Sequence, residues 1–264
     1  MNDASSEPTP WILGPPPDRE GGGGETPPLR LFCFPYAGGG ASVFHGWQAA
    51  LPAGVTVCPV QPPGRENRLR EPAFTAMGPL VEAAATALRP HLRPPFALFG
   101  HSLGALVAFE LARWLRREGM TAPACLFASG CRAPQLQRPP ERPAHRLPRA
   151  DFIAELRRFK GTPEAVLDNA ELLEVLLPVL LADFAAAETY RYTEEGPLET
   201  PITVFGGAED ERVDDDGLAA WAARTAGAFR LHRLRGGHFF LRTDRAFFLQ
   251  SLSASLQAIL LNPS

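Results

Sequence analysis

The chain has 264 residues, a length for one large domain or two small ones. At 45% hydrophobic and 21% charged it has the composition of an ordinary globular protein, and a net charge of −3 with pI about 6.1 leaves no electrostatic footprint for nucleic acid. Lys160 is the sole lysine among 26 Lys and Arg residues, which reads as coding bias more than as a functional device.

The four cysteines (Cys33, Cys58, Cys125, Cys131) form neither a disulfide framework nor a CxxC metal pair, so buried free thiols are expected. No apolar stretch follows Met1, and no secretory leader is read. The run Leu172–Leu181 is too short to span a bilayer and holds Glu174 and Pro178. A cytoplasmic monomer without membrane attachment is expected.

Residues 1–28 carry Pro8, Pro10, Pro15 to Pro17, Gly21 to Gly24, Pro27 and Pro28 with few large apolar groups, the composition of a flexible tail. From Leu29 onward the pattern changes, and the unit 29–264 reads as one domain. Leu29–Phe34 is the first of six short apolar runs that read as strands. The others are Val55–Val60, Phe96–Phe99, Ala124–Ser129, Ile202–Phe205 and Phe229–Leu234. Helical spacing appears between them, most clearly from Leu103 to Glu118, where Leu103, Leu106, Val107, Leu111, Trp114 and Leu115 share a face. Arg116 and Arg117 suit that helix's negative end, and Gly119 can close it. Strands alternating with helices predict an α/β fold with a mainly parallel sheet covered on both faces.

Between Arg132 and Tyr192 strand signals stop. A proline-rich link is followed by three expected helices: 151–160; one opened by Thr162 as cap with Pro163 in its first turn; and one capped by Asp168 with Glu171 and bent at Pro178. This insertion, at about 133–190, reads as a helical lid, the alternative being a second core packed elsewhere.

Gly100-His101-Ser102-Leu103-Gly104 lies between a strand and a helix, the setting of a nucleophile elbow. A serine on such a turn needs small neighbours two residues to either side, a base, and a carboxylate to orient the base. Downstream of Ser102 stand His145, His232 and His238. His238 is favoured because it follows Gly236-Gly237 just past the last strand. Asp210, at the carboxyl end of the Ile202–Phe205 strand, is favoured as the acid over Glu209, Asp214, Asp215 and Asp216. Gly38-Gly39-Gly40 after the first strand allows a backbone N–H to approach a reacting carbonyl, and the Leu103 N–H is the expected second donor. His101 is expected to pack, since side chains of adjacent residues on a tight turn point apart.

These residues, with LFCFPYAGGGAS (31–42), PVQPPGRENR (59–68), FGHSLGALVAFELAR (99–113), VFGGAEDERV (204–213) and GGHFFL (236–241), resemble the α/β-hydrolase superfamily. More narrowly they resemble the type II thioesterases of polyketide and nonribosomal peptide biosynthesis. The resemblance implies an α/β-hydrolase fold with Ser102 as acylated nucleophile, His238 as base and Asp210 as its orienting acid. It also implies an oxyanion hole from the Ala37 and Leu103 amides, a lid shaping the acyl chamber, no cofactor or metal, and acyl or peptidyl carrier proteins bearing a phosphopantetheine arm as partners. Glu211 departs from the Pro or Asp of many relatives. The alternatives are a lipase or esterase acting on oxygen esters, and a non-catalytic binding module on the same scaffold.

Overall fold

The computed structural model describes residues 9–13 and 29–261. Six strands, β1 (Leu29–Phe34), β2 (Val55–Pro59), β3 (Phe96–His101), β4 (Leu126–Ser129), β5 (Ile202–Gly207) and β6 (Phe229–Leu234), form one sheet in the order β2-β1-β3-β4-β5-β6. Every pairing is parallel. Their carboxyl ends therefore lie along a single rim.

Alternation within each strand explains why the runs read as continuously apolar. Phe32 and Phe34 of β1, Phe96 and Leu98 of β3, and Ile202 and Val204 of β5 face one core. Leu31, Cys33, Ala97, Phe99 and Phe205 face the other. The first core is covered by α1 (Met77–Leu88), through Leu80, Val81 and Ala84, and by α2 (Leu103–Arg117), through Leu106 and Phe109. All four cysteines are buried free thiols.

α2 keeps the expected span. Gly119, at φ +64°, closes it, with the Met120 N–H donating to the Leu115 carbonyl.

The insertion folds as α3 (Arg149–Phe159), α4 (Glu164–Leu167) and α5 (Ala170–Glu188). It has an apolar nucleus of its own, including Phe152, Leu156, Leu177 and Phe184, yet packs against Ala37 of the sheet domain. Two local expectations, the openings of α4 and α5, need correction. Pro163 precedes α4 as its cap position, without a Thr162 side-chain cap. α5 is capped by Asn169, whose Oδ1 accepts the Leu172 N–H at 3.0 Å, because Asp168 closes α4 in a helical conformation (φ −88°, ψ −10°) and Asn169 is the extended residue that follows. α5 continues as helix through Pro178.

α6 (Asp215–Ala219), α7 (Phe240–Thr243) and α8 (Arg245–Leu261) follow, α8 covering the second core with Phe248, Leu252 and Leu256. The expectation of a flexible tail over 1–28 lies outside the described residues for 1–8 and 14–28. For 9–13 it is corrected. Trp11 is 6% exposed, its carbonyl accepts the Gln61 N–H at 2.8 Å, and its ring lies 4.7 Å from the Arg68 guanidinium carbon. One large aromatic with a cationic partner anchors a segment whose composition otherwise favours disorder. Among the described residues no helix is long and apolar enough to cross a membrane.

Candidate active site

The end of β3 meets the start of α2 at Ser102, which adopts φ +54° and ψ −116°. A non-glycine residue there is strained by about 1–3 kcal/mol, and the surrounding packing must impose it. The two glycines show how. A Cβ on Gly100 would sit 2.0 Å from the Gly104 carbonyl oxygen, and one on Gly104 would sit 2.2 Å from the Phe34 oxygen. The elbow thus presses α2 against β1, and the Ser102 N–H donates to the Ser129 carbonyl at 2.8 Å.

His101 is fully buried, its Nδ1 2.9 Å from the Ser129 hydroxyl and its ring packed against His238 and Tyr36. Burial, with the facing His238, pushes its pKa well below the usual histidine value, so it stays neutral beside the site. Packing is its role, as expected.

The loops after β5 and β6 are zipped together. Ala208 N–H donates to the Leu234 carbonyl, and Glu209 N–H to the Gly236 carbonyl. A Cβ on Gly207 would meet the Gly237 and Gly236 oxygens at 2.4 and 2.5 Å, so the missing side chain at Gly207 is what allows this approach. The approach sets His238 Nδ1 2.8 Å from Asp210 Oδ2, with the two side chains 10% and 1% exposed. Burial pulls the Asp210 carboxyl upward. The His238 hydrogen bond and charge, with the Arg212 N–H on Oδ1 at 2.9 Å, outweigh burial and hold it below the usual carboxylate range.

The rival residues are committed elsewhere. His145 pairs with Glu188 at 2.5 Å, and His232 stacks on Phe205 within β6. Asp214 caps α6, Asp215 pairs with Arg233, and Glu209 and Asp216 are exposed.

In the glycine loop, Gly39 N–H donates to the Tyr36 carbonyl at 2.8 Å, Gly38 N–H to Asp183 Oδ2 at 2.7 Å, and Ala41 N–H to Gln61 Oε1 at 2.6 Å. Among the described residues no protein acceptor engages the amides of Ala37 and Leu103. Asp183, Arg65 and Gln61, which support the loop, were not singled out from sequence. Asp183 does carry a signal: a carboxylate within the apolar run of α5.

Ser102, Leu103, His238, Tyr36 and Ala37 line one cavity of about 450 Å³, whose other side sets the apolar Leu156, Phe159, Leu180, Phe184 and Ala187 of the insertion beside the polar Gln137, Arg138, Glu188 and Arg212. A larger open groove of about 690 Å³ between α1 and α2 holds none of these residues. Its Arg113 is already paired with Glu110 and Glu195. Among the described residues no cluster suits a metal ion.

A parallel sheet with a strained serine at a strand–helix elbow and a carboxylate–histidine pair on the same rim defines an α/β hydrolase. The family model described as Thioesterase domain matches residues 29–256. The RedJ thioesterase of the prodiginine biosynthetic pathway in Streptomyces coelicolor superposes with a TM-score of 0.81 at 44% identity, over 86% of this chain and 85% of that one. The type II thioesterase BorB from the borrelidin biosynthetic cluster does so with 0.80 at 37% identity, over 87% and 93%. The protein named linear gramicidin dehydrogenase LgrE, of Brevibacillus parabrevis, is 42% identical over 263 residues, covering 98% of this chain and 97% of that one. Its name gives a dehydrogenase activity to that protein, whereas the family model and both structures are thioesterases. The chain belongs to the thioesterase family and is a thioester-hydrolysing serine hydrolase.

Proposed function

We propose that the protein is an editing thioesterase that clears acyl groups from the phosphopantetheine thioester of acyl or peptidyl carrier proteins in polyketide or nonribosomal peptide biosynthesis, acting in the cytoplasm. The observation that carries this reading is the His238–Asp210 pair opening on the same cavity as Ser102, beneath an apolar wall suited to an acyl chain. The biosynthetic pathways of RedJ and BorB support the choice of substrate.

In this mechanism Asp210 keeps the His238 proton on Nδ1, leaving Nε2 as the base. Ser102 Oγ attacks the thioester carbonyl carbon while Nε2 takes its proton. The C–S bond breaks, and the imidazolium returns the proton to the departing carrier thiol. Water then attacks the acyl-serine with Nε2 again as base, the C–Oγ bond breaks, and Ser102 recovers its proton. The oxygen that turns negative in both steps faces the amides of Ala37 and Leu103, at the positive end of α2. A thiol with a pKa of about 8.5 needs less proton help to leave than an amine.

The test is release of free acid from acylated carrier proteins by the purified protein, set beside Ser102→Ala. Turnover that vanishes in the variant supports the reading. A wild-type rate in Ser102→Ala overturns the assignment of the nucleophile, and no release from any carrier protein overturns the substrate.

A further inference from the structure

Helix α5 and the segment following β2 meet the glycine loop through a buried ion pair. Arg65 and Asp183 have side chains 5% and 2% exposed. The contact is bidentate, Nη1 to Oδ2 at 2.7 Å and Nη2 to Oδ1 at 2.9 Å. Each partner also holds the loop: Arg65 Nη1 donates to the Gly39 carbonyl at 3.0 Å, and Asp183 Oδ2 accepts the Gly38 N–H. One turn away on α5, Leu180 fills the space over Gly38, where a Cβ would come within 2.4 Å of its Cδ2.

A pair this deep is a poor device for stability alone, since desolvating two charges offsets most of their attraction. Its geometric effect is specific. The Tyr36 carbonyl and the Ala37 N–H belong to one planar trans peptide and point in opposite directions. The Gly39 N–H holds that carbonyl inward, and so turns the Ala37 N–H outward. What keeps Gly39 in place to do so is the clamp: Arg65 on its carbonyl and Asp183 on the amide before it. One of the two carboxylate oxygens therefore ties a lid helix to the peptide next to an oxyanion donor.

We propose that Arg65 and Asp183 are positioning residues that aim the Ala37 amide and make the seating of α5 a condition for oxyanion stabilisation. This rests on the reading of Ala37 as an oxyanion donor. Neither side chain touches substrate. Neither lines the cavity, so their loss acts on the transition state more than on acyl binding.

The experiment compares Asp183→Asn, Arg65→Lys and the double variant Arg65→Met/Asp183→Leu with wild type. Four measurements are made: kcat and KM on an acyl N-acetylcysteamine thioester, the same on a p-nitrophenyl ester, affinity for a trifluoromethyl ketone that forms a hemiketal oxyanion, and urea stability. Expected is a fall in kcat of about 10–100-fold on both substrates with KM within about threefold. The trifluoromethyl ketone should weaken by a similar factor. The double variant should recover the stability lost in the single variants without recovering kcat. A double variant that regains both, or folded single variants with wild-type kcat and wild-type ketone affinity, overturns the proposal and leaves the pair as scaffolding. A wild type that cleaves the p-nitrophenyl ester and not the thioester would sink the thioesterase reading alone. The ester kinetics and the ketone affinities still decide the positioning role.

Discussion

Asp210 spends its two oxygens on two different partners, Oδ2 on the His238 ring nitrogen and Oδ1 on the Arg212 amide, while its side chain is 1% exposed. The second bond fixes the carboxylate's own rotamer, so the imidazole is oriented by a group that is itself oriented. Asp210→Asn keeps the shape and changes which protons the ring can hold. The expected loss in kcat is about 10³–10⁴-fold with little change in KM, read by steady-state kinetics at neutral pH.

Asp210 also ties stability to pH. Its folded-state pKa lies below its unfolded value of about 3.9. Its contribution is therefore complete above that unfolded value and disappears as pH falls through the lower folded one. Urea unfolding at pH 7, 4 and 3 should show wild type losing more stability than Asp210→Asn across the lower interval. Equal losses would mean that the carboxylate is not held by its partners.

Gly104 and Gly78 make a matched pair. A Cβ on Gly104 would strike the Phe34 and Pro35 carbonyl oxygens at 2.2 and 2.6 Å, backbone atoms that cannot turn aside, whereas one on Gly78 in the first turn of α1 meets nothing within 4 Å. Gly104→Ala should cost about 3 kcal/mol or more and remove activity. Gly78→Ala should stabilise by about 0.5–1 kcal/mol through helix propensity and a less free unfolded chain. Denaturant titration of the two variants decides both.

Ala187 lies on the side of the cavity formed by the insertion, where Phe159 and Phe184 supply the bulk. Ala187→Phe should lower kcat/KM for a decanoyl thioester at least about tenfold relative to an acetyl thioester, since a displaced methylene or two is worth that much in an apolar pocket. Equal effects on both chain lengths would place the acyl group elsewhere.

Trp11 packs beside Phe74 and under Arg68, with rings 6.5 Å apart in the first contact. Trp11→Ala should destabilise by about 3 kcal/mol, measured by urea unfolding, as a buried aromatic requires. An unchanged midpoint would mean that the segment contributes nothing in solution.

Inner strands such as Leu29–Phe34 were legible because burial on both faces writes an apolar run. The margin strand Phe229–Leu234 was legible through Phe229 and Leu231 alternating with polar residues, and both strands have the expected ends. Ser102, Asp210 and His238 were legible because each follows a strand and is flanked by glycines that tight loops require. What escaped was decided between distant segments. The Arg65–Asp183 clamp joins stretches with no shared local pattern, and Asn169 caps α5 in place of Asp168 because Asp168 already closes α4. Trp11 reads as disordered until Arg68 and Gln61 are placed around it. α8 was missed because its apolar residues are spread around the helix, with Phe247 exposed and Phe248 buried.

Residues 9–13 also bear on colloidal behaviour. β2 is one margin of the sheet, and a free margin is a template for a foreign strand. Ile12 bridges Val60 antiparallel and the Leu13 N–H donates to the Pro59 carbonyl, which occupies the carboxyl end of this margin, while the Gln48 side-chain amide accepts the Val57 N–H and donates to the Val55 carbonyl. At the opposite margin, β6 carries the exposed Arg230, and Arg233 is paired with Asp215. A purification tag or deletion that lifted this short N-terminal strap would bare the 59–61 end of the margin and leave that end open to pairing with a foreign chain.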